Sequence, residues 1–155
     1  MAEYSAVARQ TILPGESAIF TFVVEPCREG FVRFRNDTGN FLLSGWTPQR
    51  RNRCCCCGNQ NGPSYFVDFG ANIAISEGGT VEPISVAITI DGATDQASVM
   101  TVTPAAVEEF FNVSRATSIP VWVGCCQTVR ITNIGTQSID MENANIVINR
   151  TDLRR

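Results

Sequence analysis

One stretch of the sequence restricts the fold more than any other, because it alternates strictly and then turns back. Residues 84–90 place Ile84, Val86, Ile88 and Ile90 on one side and small or polar residues on the other. A period of two is the period of a β-strand. Asp91-Gly92 follows at once, and both residues tolerate positive φ, so the pattern predicts a hairpin with a return strand over residues 98–102.

The rest of the chain supplies similar short strands separated by turn residues. Turns are predicted at Pro14-Gly15-Glu16, at residues 36–40 and at Glu77-Gly78-Gly79. Strands are predicted over residues 17–24, 31–35, 41–46, 65–75, 119–123, 126–133 and 144–149. Residues 103–112 begin like a helix, with Thr103 as a cap and Pro104 next, but in this setting we expect a short turn. The pattern predicts an all-β, single-domain antiparallel β-sandwich or jelly roll.

The 155 residues suit one domain that is large enough to bury a core of its own. Residues 1–9 are weakly patterned, and we interpret them as an N-terminal arm, either a strand or a tail that docks on another molecule. The β domain then covers residues 10–150, and residues 151–155 form a basic C-terminal tail. Residues 47–63 form a loop rich in arginine and cysteine, and long loops in compact domains are usually functional or mobile.

The balance of charge and hydropathy is that of a folded protein. A net charge of −3 with 44% hydrophobic residues argues against a disordered chain. Residues 1–5 lack the basic and apolar parts of a secretory signal, and no apolar run approaches the ~18 residues of a membrane span. We therefore expect synthesis in the cytoplasm, a soluble product and no membrane partner.

Cysteine is unusually frequent, and three interpretations of it stay open. The seven cysteines are Cys27, the consecutive Cys54, Cys55, Cys56 and Cys57, and the adjacent Cys125 and Cys126. A zinc site at Cys54–Cys57 would need four converging thiolates, whereas consecutive side chains point in divergent directions. Disulfide cross-links within or between subunits would involve any of the seven after release from the reducing cytoplasm. The favoured interpretation is free thiols, with Cys125 and Cys126 partly buried as small apolar residues.

Catalytic motifs are missing from the sequence. Histidine is absent, so the usual general base near neutral pH and the Ser-His and Cys-His pairs are unavailable. Asp68 could carry carboxylate chemistry, as could Glu108 and Glu109, but adjacent acids are typical of a solvated face. Gly78-Gly79 is not followed by the residues of a phosphate-binding loop. We expect a protein that is not an enzyme and needs no cofactor or metal.

Arginine supplies all twelve basic residues of the chain. A sequence pI near 4.9 argues against nucleic acid as a partner, so we expect the arginine clusters to contact carboxylates of neighbouring subunits through their planar fork. Trp46 ends a predicted strand and Trp122 lies within one, and each is either a core residue or a further interface candidate. The seven phenylalanines of residues 20–69 exceed the need of one small sandwich, which favours oligomerisation. The interface candidates are Tyr4, Trp46, Arg50, Arg51, Arg53, Trp122, Arg154 and Arg155.

Roughly half of the chain carries a family resemblance. It runs from Glu77 to Arg150 and comprises Gly78-Gly79-Thr80, the strand to Ile90, the Asp91-Gly92 turn, Val102-Thr103-Pro104, the strand pair of residues 121–129 and the closing residues 143–148. This segment resembles the compact jelly rolls of the tumour-necrosis-factor and C1q type. It is similar to the C-terminal domains of bacterial collagen-like spore-surface proteins and to small structural proteins of tailed phages that infect Firmicutes. No Gly-X-Y repeat precedes it, and the arginine-cysteine loop has no counterpart in the family pattern.

The resemblance implies a homo-oligomer, with a trimer favoured, and a role on a particle or surface. We expect a virion structural protein of a bacteriophage, a capsid decoration or auxiliary protein such as a head fibre or appendage, that docks on the major capsid protein or another virion protein. A first alternative is the tip module of a tail fibre, which binds a cell-surface receptor or glycan. A second is a cysteine-cross-linked protein of a spore or cell surface.

Overall fold

The computed structural model describes residues 1–27, 29–35, 38–46 and 62–151, and these residues form two antiparallel β-sheets. The first sheet contains β1 (Ala2–Ala6), β2 (Gln10–Ile12), β3 (Phe22–Glu25), β6 (Ser64–Ile75), β10 (Phe111–Pro120) and β12 (Ile139–Thr151). The second sheet contains β4 (Val32–Arg35), β5 (Asn40–Ser44), β7 (Ile84–Ile90), β8 (Ala93–Thr94), β9 (Met100–Val102) and β11 (Cys126–Asn133). The predicted all-β antiparallel sandwich is confirmed.

Strands that are distant in sequence are neighbours in both sheets. The first sheet has the order β10-β6-β12-β1-β3, and β2 pairs with the start of β12. The second has the order β4-β5-β11-β7-β8, and β9 pairs with the first half of β7. Few neighbouring pairs are joined by a hairpin, so the chain repeatedly crosses from one sheet to the other, as it does in Greek-key sandwiches.

The core lies between the two sheets and is rich in aromatic and β-branched side chains. Tyr65, Phe20, Phe41 and Phe69 are fully buried, together with Ile88 of the strand that the alternation predicted. Burying a side chain of this size stabilises the fold by about 1.5–3 kcal/mol. The Phe20 and Phe41 ring centroids lie 5.3 Å apart in an edge-to-face arrangement, which aromatic pairs prefer. The predicted inward face of β7 is confirmed.

The Asp91-Gly92 turn forms as predicted, and the return strand predicted over residues 98–102 forms in part, because β9 pairs antiparallel with the first half of β7. Asp91 and Gly92 have φ values of 50° and 85°, and the chain pairs again with β7 immediately, as β8. A single 3₁₀ turn at Gln96–Ser98 then leads into β9. The buried hydroxyl of Ser98 donates to the Ile88 carbonyl at 3.2 Å and accepts from the Ile88 amide at 2.9 Å. The Ser98 hydroxyl thus satisfies the Ile88 amide and carbonyl that a paired backbone would otherwise satisfy, so strand pairing is interrupted between β8 and β9.

Of the two interpretations of residues 1–9, the structure shows the strand, and this strand is an internal part of the first sheet rather than an arm outside the β domain. β1 lies between β12 and β3, with Ala2, Tyr4 and Ala6 in the core. Two of these three inward residues are alanines, whose weak hydrophobicity conceals the alternation. Tyr4, expected at an interface, packs on Phe41 with ring centroids 5.0 Å apart.

The strand predicted over residues 17–24 is divided between the two sheets. Ser17 forms a bridge with Thr132 of the second sheet, and the Ala18 amide donates to the Ile131 carbonyl at 2.8 Å. The Thr21 amide donates to Ser5 of the first sheet at 3.1 Å, and β3 continues there. An apolar run cannot reveal such a crossing, because both halves remain extended and apolar in sequence.

The strand predicted over residues 119–123 is displaced toward the N-terminus. β10 ends at Pro120, and its ten residues pair in unbroken register with β6. Residues 121–125 form a turn in which Gly124 has a φ of 79°. β10 is an edge strand whose middle is polar and exposed, so its sequence lacks the apolar alternation of a buried strand. No helix begins at Thr103 within the described residues, in agreement with the expected turn.

The last two strands agree better with the sequence. β11 has the predicted bounds, and β12 extends the predicted strand at both ends. Asn143 interrupts β12 with a φ of 51°, at a register shift in its pairing with β6. This bulge lets one strand serve β2 at its start and β1 further along.

Candidate interaction surfaces

The outward face of the first sheet is acidic. Glu3 lies opposite Val147 on one side and Glu25 on the other, and Val147 lies opposite Asp68. Glu142 lies on the same face, opposite Asn72. The arginines of this sheet, Arg115 and Arg150, pair with the buried Phe69 and Tyr65 and therefore alternate with the outward positions. The described part of this face presents carboxylates without interspersed arginines.

The outward face of the second sheet has the opposite charge. Its described strands contain Arg33, Arg35 and Arg130, and none of their residues is acidic. Arg33 lies opposite Leu42, and Arg130 lies opposite Thr89. The sandwich therefore carries carboxylates on one outer face and guanidinium groups on the other, a distribution that orients an approaching copy or partner.

Strand β3 exposes three successive apolar side chains. Among the described residues it is the last strand of its sheet and pairs with β1 alone. Phe22, Val23 and Val24 are 63%, 42% and 46% exposed. An edge strand with apolar side chains and no arginine or proline of its own is a ready template for association with another chain. Phe66, on the outward face of the same sheet, is also exposed.

One end of the sandwich gathers aromatic side chains around an arginine. The Phe31 and Trp46 rings stack with centroids 6.0 Å apart. The Arg150 guanidinium lies 3.8 Å from the Phe31 centroid, and its Nη2 donates to the Trp46 carbonyl at 2.9 Å. A recess of about 430 Å³ adjoins this arginine and is lined by Glu25, Glu29 and Cys27 among others. The arginine is held in place by a cation–π contact and a backbone bond at once.

The structure places the two predicted tryptophans on the surface at this end. Trp46 is 55% exposed and Trp122 is 44% exposed. Their segments touch, because the Gly45 amide donates to the Cys125 carbonyl at 2.7 Å, and a Cβ on Gly45 would lie 1.9 Å from the Trp122 carbonyl. Only glycine allows the two backbones to approach so closely. Exposed tryptophans are enriched at protein interfaces, and an interface role for this pair remains a prediction.

The other residues predicted to lie at interfaces or to form cross-links are buried, partly buried, exposed or outside the described residues. Tyr4 is a core residue, and burial, followed by the nearby Cys27, raises the pKa of its hydroxyl. Cys27 is half-buried and Cys126 is exposed, and both are free thiols, whereas Cys125 is half-buried. The remaining candidates, Arg50, Arg51, Arg53, Cys54, Cys55, Cys56, Cys57, Arg154 and Arg155, lie outside the described residues.

No metal-binding group of three or more His, Cys, Asp or Glu side chains occurs in the described ranges. Within the same ranges, no helix is long and apolar enough to cross a membrane.

A buried carboxylate is the polar cluster that the sequence did not reveal. Asp140 of β12 is 2% exposed. Its Oδ2 accepts from Arg9 Nε at 3.0 Å and also from Arg9 Nη2, and its Oδ1 accepts from Thr11 at 2.7 Å and from Ser76 at 2.9 Å. Arg9 extends the cluster to Glu108 at 2.7 Å. Burial opposes ionisation, but the hydrogen bonds from Thr11, Arg9 and Ser76 prevail and hold the pKa of Asp140 below its usual value.

This cluster is built to hold elements together. Both carboxylate oxygens are occupied by donors from other segments, so neither is left to bind a substrate or move a proton. Arg9 and Asp140 are 131 residues apart in the chain, and no spacing rule connects positions at that separation.

The comparisons with known proteins concern the fold. No protein-family model matches the chain, and no curated protein matches it in sequence. The chain is similar to the globular domain of the zebrafish complement 1qA protein, with TM-score 0.54 and 11% identity over 99% of this chain and 97% of that one.

Two larger structures align with lower scores. Dimeric latent PorU from Porphyromonas gingivalis has TM-score 0.42 and 11% identity, over 100% of this chain and 13% of that one. Isomalto-dextranase of Arthrobacter globiformis T6, complexed with panose, has TM-score 0.35 and 13% identity, over 93% of this chain and 22% of that one. The two-sheet topology and the match to the complement domain together show that this chain has the C1q-type jelly-roll fold.

Proposed function

We propose that the protein is a non-catalytic structural and binding module that assembles with copies of itself. The observation that carries the proposal is strand β3, where three successive large apolar side chains remain in water in the single subunit. A soluble protein does not normally leave such an edge uncovered. A second copy of this chain is present wherever the protein is made, so it is the partner we propose for this edge. The oligomer we propose is the trimer that the family resemblance implies.

The test is the mass of the purified protein in solution, measured by light scattering in the presence of reductant so that cysteine cross-links contribute nothing. We expect a trimer. Replacing Phe22 and Val24 by serine and threonine should shift it toward monomer, because the contact loses most of its apolar area. Val81→Thr is the matched control, since Val81 is exposed but lies outside the strands. A monomeric parent protein, or a trimer unaffected by the β3 changes, would overturn this assignment.

The finer proposal is that the oligomer is a structural component of a bacteriophage virion, located on the particle. It is supported by the resemblance of residues 77–150 to small structural proteins of tailed phages, and by the opposed charges of the two outer faces, which suit docking in one orientation. The absence of histidine and the full occupation of Asp140 support a role without catalysis. Mass spectrometry of particles banded on a density gradient tests this, because the protein must band with the particles in a fixed ratio to their major protein.

A second candidate, a glycan-binding tip, is favoured by one observation on the first sheet. A recess of about 370 Å³ is lined by Asp68, Asn72, Asn112, Asn143 and Asn145. Asn112 Nδ2 donates to Asn72 Oδ1 at 3.1 Å, which leaves further amide groups toward solvent. Side-chain amides and carboxylates suit sugar hydroxyls, because an amide both donates and accepts hydrogen bonds and a carboxylate accepts them. Binding of neutral oligosaccharides that is lost in Asn112→Ala and kept in the neighbouring Ser118→Ala would favour this candidate.

A further inference from the structure

The second sheet carries a recess in which a guanidinium meets a row of hydroxyl groups. The recess has a volume of about 310 Å³. Its lining includes Arg130, Ser17, Thr89, Thr94 and Thr132. A volume of this size is at the small end of known ligand sites and matches one compact polar group.

The recess exists because of a gap along one side of strand β11. Strand β5 pairs with residues 126–129 of β11 and then ends. The segment after the Pro14-Gly15 turn takes over further along, where the Ala18 amide donates to Ile131 and the Gly15 amide donates to Asn133, both at 2.8 Å. Arg130 lies between these two partners. Its side chain therefore has space that a continuous sheet would have filled.

Arg130 has no ion pair or hydrogen bond from its side chain within the described residues. Its Nε is buried from water and lacks an acceptor. Buried polar atoms normally have a partner, because an unpaired buried donor has lost its hydrogen bonds to water without replacement. The carboxylates of the neighbouring Asp91-Gly92 hairpin are engaged elsewhere, because Asp91 accepts from the Thr128 amide at 2.7 Å and Asp95 accepts from Ala97 and Thr117. No carboxylate of this hairpin therefore neutralises the Arg130 guanidinium, and Arg130 lines the recess.

The hydroxyl row is ordered by its own hydrogen bonds. The hydroxyls of Thr89 and Thr132 lie 2.8 Å apart, and those of Thr132 and Ser17 lie 3.1 Å apart. Each hydroxyl in such a row keeps unused capacity to donate or accept. Thr94 lies opposite Thr89 and completes the wall. The recess therefore offers one cation and several neutral hydroxyls, arranged side by side.

We propose that this recess binds an oxyanion carried by a polyhydroxylated ligand, that is, an acidic sugar residue. The guanidinium fork of Arg130 accommodates the two oxygens of a carboxylate or sulfate. The hydroxyl row binds the sugar hydroxyls beside it. A carboxylate (uronate) and a sulfate ester present the same oxygen geometry to the arginine, and the experiment separates them.

The experiment follows the Nε–Hε resonance of Arg130 by NMR while glucuronate, glucose 6-sulfate or glucose is added to the full-length protein. We expect saturable shifts with one or both acidic sugars, with a dissociation constant of about 1 mM for a single small residue, and none with glucose. A larger affinity for glucuronate identifies the carboxylate as the ligand group, and a larger affinity for glucose 6-sulfate identifies the sulfate. Equal shifts with glucose, or no saturable shift with either acidic sugar, would overturn the proposal.

Variants provide the second arm. Arg130→Gln should weaken binding at least about tenfold, the loss expected for a charge-assisted pair. Arg33→Gln is the matched control, because it removes the same charge from the same face of the sheet and should bind as the parent does. Thr89→Val should weaken binding several-fold. If Arg130→Gln fails to fold, the titration of the parent protein still decides. Unchanged binding in a folded Arg130→Gln protein would place the ligand elsewhere and contradict the assignment.

Discussion

Among single residues, Asp140 joins several parts of the first sheet that are far apart in the chain. Its carboxylate receives hydrogen bonds from β2 through Thr11, from the end of β6 through Ser76, and from Arg9 between β1 and β2. Arg9 also lies over the ring of Phe110, 5.4 Å from its centroid, beside the start of β10. Four segments therefore meet at one buried charge, and removing that charge should weaken the packing of all four.

Asp140→Asn should lower the free energy of unfolding by about 2 kcal/mol at neutral pH, because an amide of the same shape cannot replace a charged acceptor. Urea denaturation followed by circular dichroism measures this change. Glu77→Gln, an exposed carboxyl in a turn, is the control and should have no measurable effect. An Asp140→Asn protein as stable as the parent would show that the cluster contributes nothing to the fold.

The same residue predicts a dependence of stability on pH. The folded-state pKa of Asp140 lies below its ordinary value, so on acidification the unfolded chain takes up the proton first. The stabilisation is therefore complete above about pH 4–5 and is lost as the pH falls through the folded pKa. We expect the difference in free energy of unfolding between the parent and Asp140→Asn to shrink as the pH is lowered from 7 to about 2. A difference that stayed constant over this range would contradict the assigned pKa shift.

Some features of single residues can be predicted from the sequence, and others cannot. The inward positions of β7 follow from alternation, because the period of a strand is a local property. The pairing of Arg9 with Asp140 does not, because it depends on which strands become neighbours. The exposure of Trp46 and Trp122 lies between these cases. The sequence left a core role and an interface role open for both tryptophans, and only the backbone contact at Gly45 brings the two segments together.

At the scale of elements, strand β1 distinguishes a folded part of the sandwich from an arm. Its three inward side chains fill the space between β12 and the second sheet, and Tyr4 contacts both Phe34 and Phe41. If residues 1–9 were an arm that docks on a partner, substitutions in them would not change the stability of the isolated subunit. A central strand would not, since its loss opens the core and exposes the edge of β12.

Tyr4→Ala should therefore lower the free energy of unfolding by about 3 kcal/mol, the cost of a cavity left by an aromatic side chain. Val7→Ala, one residue beyond the strand and exposed to solvent, should change it little. The midpoint of urea unfolding at fixed protein concentration is the measurement. A Tyr4→Ala protein that kept its stability and lost only its assembly would restore the arm interpretation.

Elements at the edge of a sheet were the hardest to predict. β10 pairs with β6 over its whole length, yet most of its side chains are exposed. Its central residues, Ser-Arg-Ala-Thr-Ser, satisfy the backbone ladder without an apolar pattern, so strand formation there is imposed by β6. β11 lies inside its sheet, between β5 and β7, and there alternation gave both ends correctly. Alternation is recognisable where large apolar residues fill the buried face, as in β11, and is not recognisable where the side chains are exposed, as in β10, or where alanines fill the buried face, as in β1.

At the scale of the whole molecule, the two charged faces and the apolar edge act over different distances. The apolar strand β3 has to touch its partner, and its contribution changes little with salt. The carboxylates of the first sheet and the arginines of the second attract at longer range, but salt screens them within about 10 Å at 0.1 M. Assembly through the edge and stacking of sandwiches face to face can thus be separated by ionic strength alone.

We expect sedimentation velocity at about 0.02 M salt to show species larger than the basic oligomer, which dissociate to that oligomer at about 0.5 M, where the Debye length falls below 5 Å. Replacing Arg33 and Arg35 by glutamate should abolish the larger species at low salt, because two acidic faces then repel. Glu77→Arg, in a turn outside both faces, should preserve them. Because a stack of acidic face on basic face is a heterologous contact, it does not close on itself, and its size should grow with protein concentration. A distribution independent of salt would leave the apolar edge as the sole basis of assembly and assign the charged faces to a different partner.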